Sequence, residues 1–251
     1  MGGLIPQAST FAASIDSLFI VVLVVTGAAF VLVEGVLIYF LIRYRHRQGQ
    51  KATYAHGSRP LELAWTLGTA IAFFSLAIYQ YNTWIQVKAT LPDESTAQLI
   101  GISSNQFEWE ATYPGADGVL CTSDDIHPPV NILHFPLDRQ VLVRLKSEDV
   151  IHSFFVPELR VKQDAVPGRQ IDFWFQPSQA GQYEVACAEL CGLGHYRMRG
   201  RVTVEAQETF EAWLSQQTEA ATEHDYCSVA PATPADSARG QAAVSAAQTA
   251  P

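Results

Sequence analysis

The chain has 251 residues, of which 48% are hydrophobic, and a formal net charge of −9. Residues 1–88 carry six basic and three acidic groups, whereas residues 89–251 carry ten basic and twenty-two acidic groups. This acidic balance excludes nucleic acid as a natural partner, because its phosphates would be repelled, and it favours a basic partner for the C-terminal part.

Two long apolar runs occupy the N-terminal third. The first, from Ile15 to Ile42, contains only Asp16 and Glu34 as charged residues and exceeds the roughly 20 residues that cross a bilayer. It is also longer than a signal-peptide core, and no basic residue precedes it. The second run, Leu61 to Val87, is interrupted by "YQYNTW". A buried globular helix is the alternative there, but the pairing of the two runs favours a second membrane span.

The segment between the runs is basic and predicts the topology. It carries five positive residues, Arg43, Arg45, Arg47, Lys51 and Arg59. A short basic loop marks the cytoplasmic side, so both termini are predicted to be extracytoplasmic. We therefore predict a multi-pass protein of a bacterial inner or cell membrane, with an extracytoplasmic segment 1–13, a transmembrane hairpin 14–88 and a cytoplasmic loop 43–60.

Short alternating segments follow the second run. Examples are "QLIGISSNQFEWEATY", "VNILHFP", "QVLVRLKS", "IDFWFQPS", "GQYEVAC" and "RGRVTVEA". Several of these segments alternate apolar and polar residues and are bounded by Pro, Gly or Asp. This pattern is typical of half-buried antiparallel strands. The pattern predicts an all-β Greek-key sandwich or barrel over residues 89–217, closed by a short helix near Phe210. Residues 218–251 are rich in Ala, Thr, Ser, Gln and Pro and are predicted to be a disordered tail.

The stretch "CAELCGLGHYRM" holds the main chemical signal, with Cys187, Cys191, His195 and Met198 spaced over twelve residues. A disulfide would explain neither the histidine nor the methionine. Zinc prefers cysteine, histidine or carboxylate ligands to a thioether sulfur. Thiolate, imidazole and thioether together are typical of copper. Two cysteines, rather than the single one of a blue-copper site, indicate two copper ions that share both thiolates.

Such a pair requires a second histidine from upstream. The candidates are His127 in the loop "DDIHPP", His134 in a strand, and His152 in "SEDVIHSFFVPEL". We select His152, because a strand end would deliver it beside the cysteine-rich loop. The remaining cysteines, Cys121 and Cys227, are able to pair in an oxidising compartment, but the sequence does not give their distance.

The chain resembles subunit II of the haem-copper cytochrome c oxidases. Three stretches carry the resemblance, namely "EDVIHSFFVPELRVKQDAVPGR", "GQYEVACAELCGLGHYRM" and "HGSRPLELAWT". It implies a membrane-anchored, cupredoxin-like domain with a mixed-valence dinuclear copper centre of the CuA type. In this pattern Cys187 and Cys191 bridge the coppers, and His152 and His195 bind one copper each. The weak ligands are Met198 and the backbone carbonyl of Glu189.

The resemblance also assigns two carboxylates to the junction with the catalytic subunit. The Glu189 side chain corresponds to a ligand of a magnesium ion there, and a hard carboxylate suits that ion. Glu62, in "RPLELAW", corresponds to the mouth of a proton-uptake path. Its simpler explanation is that a carboxylate in the first turn of a helix is favourable to the macrodipole.

The resemblance also implies roles for four further residues in docking cytochrome c and in receiving its electrons. Asp149 and Asp164 match acidic positions that dock cytochrome c, although ordinary surface charge is the alternative. Where many relatives place a tryptophan at which electrons enter, this chain has Phe107, with Trp109 two residues later. This departure leaves the route of the electron open between the two.

The resemblance therefore implies an oxidoreductase subunit that accepts electrons from cytochrome c and passes them to haem in catalytic subunit I. Other oxidase subunits and the membrane are the remaining expected partners. A membrane-tethered copper carrier or assembly protein is the alternative, but it would hold one exposed, exchangeable ion. A copper-free quinol-oxidase version is disfavoured by the intact ligand set.

Overall fold

The structure, a computed structural model, describes residues 5–51, 53–54, 56–217 and 226–228. It contains two compact units, one formed by residues 14–86 and the other by the N-terminal segment to residue 13 together with the chain from residue 87. Helices α1 (Ala12–Arg43) and α2 (Arg59–Trp84) are followed by a π-helical segment, Ile85–Ala89. At about 1.5 Å per residue, each helix is long enough to cross a hydrocarbon core of about 30 Å.

Helix α2 begins where the sequence favours it. Ser58 precedes the first turn in an extended conformation, Pro60 lies within that turn, and the Glu62 amide donates to the Ser58 carbonyl at 2.9 Å. Proline fits an early helical position because the amide it lacks would have no partner there. Both helices expose large apolar side chains on most of their surface, which is the pattern of membrane-spanning helices rather than of helices in a globular core.

The second unit is a β-sandwich, which confirms the predicted fold class. Its strands are β1 (Gln98–Asn105), β2 (Glu108–Thr112), β3 (Ile132–Pro136), β4 (Val141–Ser147), β5 (His152–Val156), β6 (Val161–Ala165), β7 (Ile171–Phe175), β8 (Gly181–Cys187) and β9 (Arg199–Glu205). A short helix, α3 (Gln207–Leu214), follows the last strand. Its Phe210 is buried, as the closing helix predicted from the sequence would require.

One sheet has the strand order β2–β1–β4–β7, and the other has the order β3–β9–β8–β5–β6. The prediction of antiparallel strands is wrong for two pairs, since β1 runs parallel to β4 and β3 runs parallel to β9. Alternation within a strand fixes which side chains face the core, but it carries no information about the direction of the neighbouring strand.

The core lies between the two sheets and is rich in aromatic side chains. Phe135 packs edge-on against Phe175 at 5.0 Å between ring centroids, and Trp109 packs edge-on against Phe154 at 5.5 Å. Edge-to-face contacts of this kind add to the stabilisation gained from burying apolar area. The core extends to Met198, which is fully buried, so the copper-type motif is anchored in the packed interior.

Both ends of the described chain pack onto the sandwich. Ser9 donates its hydroxyl to the Leu159 carbonyl at 2.7 Å, and Phe11 packs edge-on against Trp174 at 4.6 Å. At the other end, Cys121 and Cys227 form a disulfide, which decides the pairing that the sequence leaves open.

Most of the predicted disordered tail, residues 218–225 and 229–251, lies outside the described residues. Within this segment the structure describes a 3-10 turn, Tyr226–Ser228, in which Tyr226 is buried and Cys227 belongs to the disulfide.

Candidate metal centre

Strand β5 and the loop between β8 and β9 bring the predicted ligands together. His152 opens β5, Cys187 ends β8, and Met198 immediately precedes β9. Because β5 pairs with β8, with Phe154 opposite Cys187, the histidine from one strand reaches the sulfur from the other. The motif of twelve residues and its distant histidine thus meet through strand pairing rather than through sequence proximity.

The distances define a compact cluster of soft donors. The two cysteine sulfurs are 3.8 Å apart, and Cys191 Sγ lies 3.6 Å from His195 Nδ1 and 3.8 Å from Met198 Sδ. Cys187 Sγ lies 3.9 Å from His152 Nδ1 and 3.1 Å from the Glu189 carbonyl oxygen. Each cysteine therefore has one imidazole and one weak donor beside it.

The cluster is mostly closed to solvent. His152 and Met198 are fully buried, and Cys191 is 3% exposed. His195 is half-buried and is the ligand candidate nearest the surface. Within the part of the chain that the structure describes, His152, Cys187 and Cys191 form the one group of three metal-binding side chains whose ligand atoms lie within 4.8 Å of one another.

The two thiols differ in acidity because they share one site. Burial opposes ionisation of Cys187, but hydrogen bonds from His152 and from neighbouring backbone groups outweigh it and lower its pKa to about 6. Burial and the nearby charge of Cys187 raise the pKa of Cys191 to about 12. Two thiolates this close repel each other, so the site requires positive charge before both can ionise. A pair of copper cations would supply that charge.

Asp149 holds the buried histidine in place. Its Oδ1 accepts a hydrogen bond from His152 Nε2 at 2.8 Å, and its Oδ2 accepts one from the Gln106 amide at 2.8 Å. With Nε2 occupied, Nδ1 faces Cys187. Burial favours the neutral ring, yet the Cys187 sulfur and the Asp149 carboxylate raise the pKa of His152 above its ordinary value. Such a carboxylate fixes the tautomer and orientation of a ligating imidazole.

The turn between β1 and β2 supports the other side of the loop. The Gln106 side-chain amide donates to the Cys191 carbonyl. The Phe107 ring lies against Gly192 and Gly194, so closely that a Cβ added at Gly194 would overlap it. Gly192 has φ 128°, a conformation that favours glycine. The loop is therefore shaped by the turn as well as by its own residues.

A small charge network surrounds Glu189. Lys162 Nζ lies 2.8 Å from Asp164 Oδ1 and 3.2 Å from Glu189 Oε1, and Ser153 Oγ donates to Asp164 at 2.7 Å. The hydrogen bonds from Lys162 and Ser153 lower the pKa of Asp164. Asp149 and Asp164, predicted as docking residues, are thus both engaged in contacts within this domain.

The aromatic pair proposed for electron uptake divides into a surface residue and a core residue. Phe107 is half-buried, and the Arg197 guanidinium lies 5.8 Å from its ring centroid. Trp109 is fully buried, with its ring centroid 6.3 Å from that of His152. Glu62 lies in the other compact unit, exposed in the first turn of α2.

The other two histidine candidates have different partners. His134 stacks on Trp213 at 3.7 Å and contacts Glu205 at 2.6 Å, and His127 contacts the Thr112 hydroxyl at 3.2 Å. Gln106 and Lys162 are neighbours of the site that the sequence pattern does not reveal. Their position depends on strand register, and no local motif signals it. Alternation around β6 could have indicated only that Lys162 faces outward.

Comparison with known proteins gives consistent matches. The family model described as "Cytochrome C oxidase subunit II, transmembrane domain" matches residues 2–83, and the model for the periplasmic domain of the same subunit matches residues 126–206. A protein described as "Alternative cytochrome c oxidase subunit 2" from Bradyrhizobium diazoefficiens is 35% identical over 214 residues, covering 77% of this chain and 76% of the relative.

One further relative and one solved structure are also similar to this chain. Cytochrome c oxidase subunit 2 from a Synechocystis species is 31% identical over 268 residues, covering 88% of this chain and 78% of the relative. Among solved structures, the periplasmic domain of subunit II of cytochrome oxidase from Bradyrhizobium japonicum is 25% identical, with a TM-score of 0.43, covering 51% of this chain and 96% of that one.

Proposed function

Because the chain belongs to the cytochrome c oxidase subunit II family, we propose that it receives electrons from cytochrome c at a dinuclear copper centre and passes them to haem. The chain is a membrane subunit of a cytochrome c oxidase, with a transmembrane domain and a periplasmic domain. The haem and the reduction of oxygen to water belong to the catalytic subunit. The observation that carries the proposal is the cluster of two thiols, two imidazoles and a thioether.

The donor set fits a pair of copper ions. Cys187 and Cys191 would hold both ions, while His152 and His195 would each complete one. Met198 and the Glu189 carbonyl would be the weak ligands. Soft sulfur with imidazole selects copper over harder cations. When bound, the metal pair would supply one-electron transfer, with the transferred electron shared over both ions and their sulfurs.

The protein's own part is to keep these groups fixed. Asp149 orients the His152 ring, Gln106 holds the Cys191 carbonyl, and Met198 is locked in the core. A site supported in this way changes little when an electron arrives or leaves. Burial of the sulfurs also excludes water and small thiols, which a transient copper carrier would have to admit. The membrane-tethered carrier is therefore the weaker proposal.

We place the arrival of electrons at Phe107 rather than at Trp109. Phe107 is partly exposed and lies against the ligand loop, whereas Trp109 is enclosed and contacts the His152 side. A docked cytochrome c can approach only the former. Asp149 and Asp164 remain members of the proposed docking surface, but each also has a partner in its own domain.

Two carboxylates have proposed roles toward the catalytic subunit. Glu62 would mark the entrance of a proton path, and the Glu189 side chain would bind a magnesium ion. Glu189 fits this role as a single ligand, since Mg²⁺ commonly keeps waters and takes only one or two protein carboxylates. Its contact with Lys162 at 3.2 Å would have to open to free the carboxylate.

The decisive experiment removes one thiolate at a time. We expect Cys187→Ser and Cys191→Ser to abolish the bound copper pair and its mixed-valence EPR signal, because each sulfur serves both ions. The matched controls are Cys121→Ser and Cys227→Ser, which should keep both copper and signal. A Cys191→Ser protein that retains two coppers with an unchanged EPR spectrum would show that the dinuclear assignment is wrong.

A further inference from the structure

The outer face of the four-stranded sheet carries a second hydrophobic cluster, apart from the core between the sheets. Ala97, Leu99, Leu120 and Leu142 form it together with Tyr226, which is 2% exposed. Leu99 and Leu142 are paired neighbours on β1 and β4. An apolar sheet face of this kind requires a cover, and in this chain a residue from far along the sequence supplies it.

Tyr226 fits closely onto this face. A Cβ added at Gly101 would lie 2.9 Å from two atoms of the Tyr226 ring, so the ring packs directly on the backbone of β1. The Lys146 ammonium, on a largely buried side chain, lies 4.3 Å from the centroid of the same ring. A cation over an aromatic face is favourable, and more so when it is desolvated.

The next residue fixes this contact covalently. Cys227 is bonded to Cys121, with the Cα atoms 5.3 Å apart, across a sequence separation of 106 residues. The Cys121 amide donates to Asp125 Oδ2 at 2.7 Å, which ties down the loop that carries the disulfide. Cys121 is exposed and Cys227 is partly buried, so the bond lies at the surface of the domain and not in the core between the sheets.

We propose that Tyr226–Ser228 is a latch, held by the Cys121–Cys227 disulfide, that closes the outer face of the four-stranded sheet and opens when a dithiol reduces the bond. On opening, the S–S bond breaks and each cysteine gains one electron and one proton, while the dithiol loses two of each and becomes a cyclic disulfide. The copper-type thiols take no part. The copper domain therefore includes a C-terminal element that the sequence pattern places in a tail.

A double-mutant cycle tests the latch in the copper-free full-length protein in detergent, with unfolding of the β-domain followed by near-ultraviolet circular dichroism. We expect Tyr226→Ala to lower Tm by about 10 °C. Tyr226→Phe is the matched control, because it keeps the ring, and it should change Tm little. Gly101→Ala should lower Tm by about 5 °C in the parent and have no effect in the Tyr226→Ala background. An equal effect of Gly101→Ala in both backgrounds would overturn the proposed packing.

Reduction tests the covalent half of the proposal. Dithiothreitol should lower Tm of the parent by about 10 °C and should leave the Cys121→Ser, Cys227→Ser double variant, already at the lower Tm, unchanged. Peptide mapping without reductant should recover Cys121 joined to Cys227. Unpaired Cys227 in the purified protein, or a parent Tm that is the same with and without dithiothreitol, would refute the latch.

Discussion

At the scale of single residues, Asp149 shows how one side chain can be assigned two roles. The family pattern predicts a docking carboxylate, and the structure shows the same carboxylate bonded to His152 and to the Gln106 amide. Burial raises the pKa of a carboxyl, but the hydrogen bonds from His152, Val150 and Gln106 outweigh it and hold the pKa of Asp149 below its ordinary value. Asp149 therefore stays ionised at neutral pH and keeps the histidine oriented.

This contact makes Asp149→Asn a test of positioning. The amide has the same shape but loses the charge that favours the His152 N–H, so we expect copper affinity to fall about 10- to 100-fold. Competition with a copper chelator would measure the change, and EPR would report a perturbed histidine coupling. Asp164→Asn is the control, since Asp164 contacts Lys162 and Ser153 instead. Equal copper affinity in the parent and in Asp149→Asn would contradict the positioning role and leave cytochrome c docking as the proposed role of Asp149.

At the scale of elements, the ligand loop depends on the turn between β1 and β2. Gln106 and Phe107 from that turn contact the loop at Cys191 and Gly194. The loop therefore has two supports, the strands β8 and β9 that it joins and a turn from the opposite sheet. Its geometry should respond to changes in either support.

Gly194→Ala tests the support from the turn. Gly194 has φ −90°, which alanine adopts without strain, so any effect must come from overlap of the new methyl group with the Phe107 ring. We expect the variant to bind copper at least about tenfold more weakly, by metal analysis and visible absorption. Adding Phe107→Ala should restore binding, because it removes the overlapping ring. A loss that persists in the double variant would place the cause within the loop itself.

The sequence predicted the local parts of this arrangement better than the distant ones. Four ligand candidates lie within twelve residues, and His152 could be selected because it opens a strand-like segment. By contrast, the contacts of Gln106 and Lys162 depend on which strands are neighbours. The parallel pairing of β1 with β4 likewise has no signal in the alternation of either strand. The Tyr226 contact was missed because three ordered residues within a polar, alanine-rich segment resemble the rest of that segment.

At the scale of the whole molecule, the acidic charge is concentrated in the C-terminal part of the chain. The chain from residue 89 carries twenty-two acidic and ten basic groups, so it should attract a basic cytochrome c. Fields of this kind act mainly on the association rate and are screened over about 8 Å at physiological salt.

Stopped-flow mixing with reduced cytochrome c measures this effect. The association rate constant should fall at least about tenfold between low salt and physiological salt. Phe107→Leu alters no charge and should leave the salt slope unchanged, while slowing electron transfer in the bound complex, because Phe107 is the proposed point of electron arrival. A rate that does not depend on salt would contradict electrostatic docking and would indicate a neutral or attached donor.

Proton uptake is proposed for a residue of helix α2, Glu62. Glu62→Gln should slow oxygen reduction by the assembled complex about tenfold, because the amide cannot carry a proton, while electron transfer from cytochrome c into the copper centre stays normal. Glu208→Gln is the matched control, since Glu208 also lies exposed in the first turn of a helix. Normal turnover in Glu62→Gln would reduce Glu62 to a residue that favours the start of α2.

The Cys121–Cys227 bond also has a topological consequence. It closes a covalent ring of polypeptide, and His152, Cys187, Cys191, His195 and Met198 all lie on the ring between its two ends. When the sandwich unfolds, these five residues remain on one circular chain, which limits how far they can separate. The same ring then holds a disulfide together with two free thiols, and four cysteines allow three pairings. Thiolate attack on the bond would interconvert those pairings, so the folded sandwich also protects the Cys187 and Cys191 thiols from exchange with the disulfide.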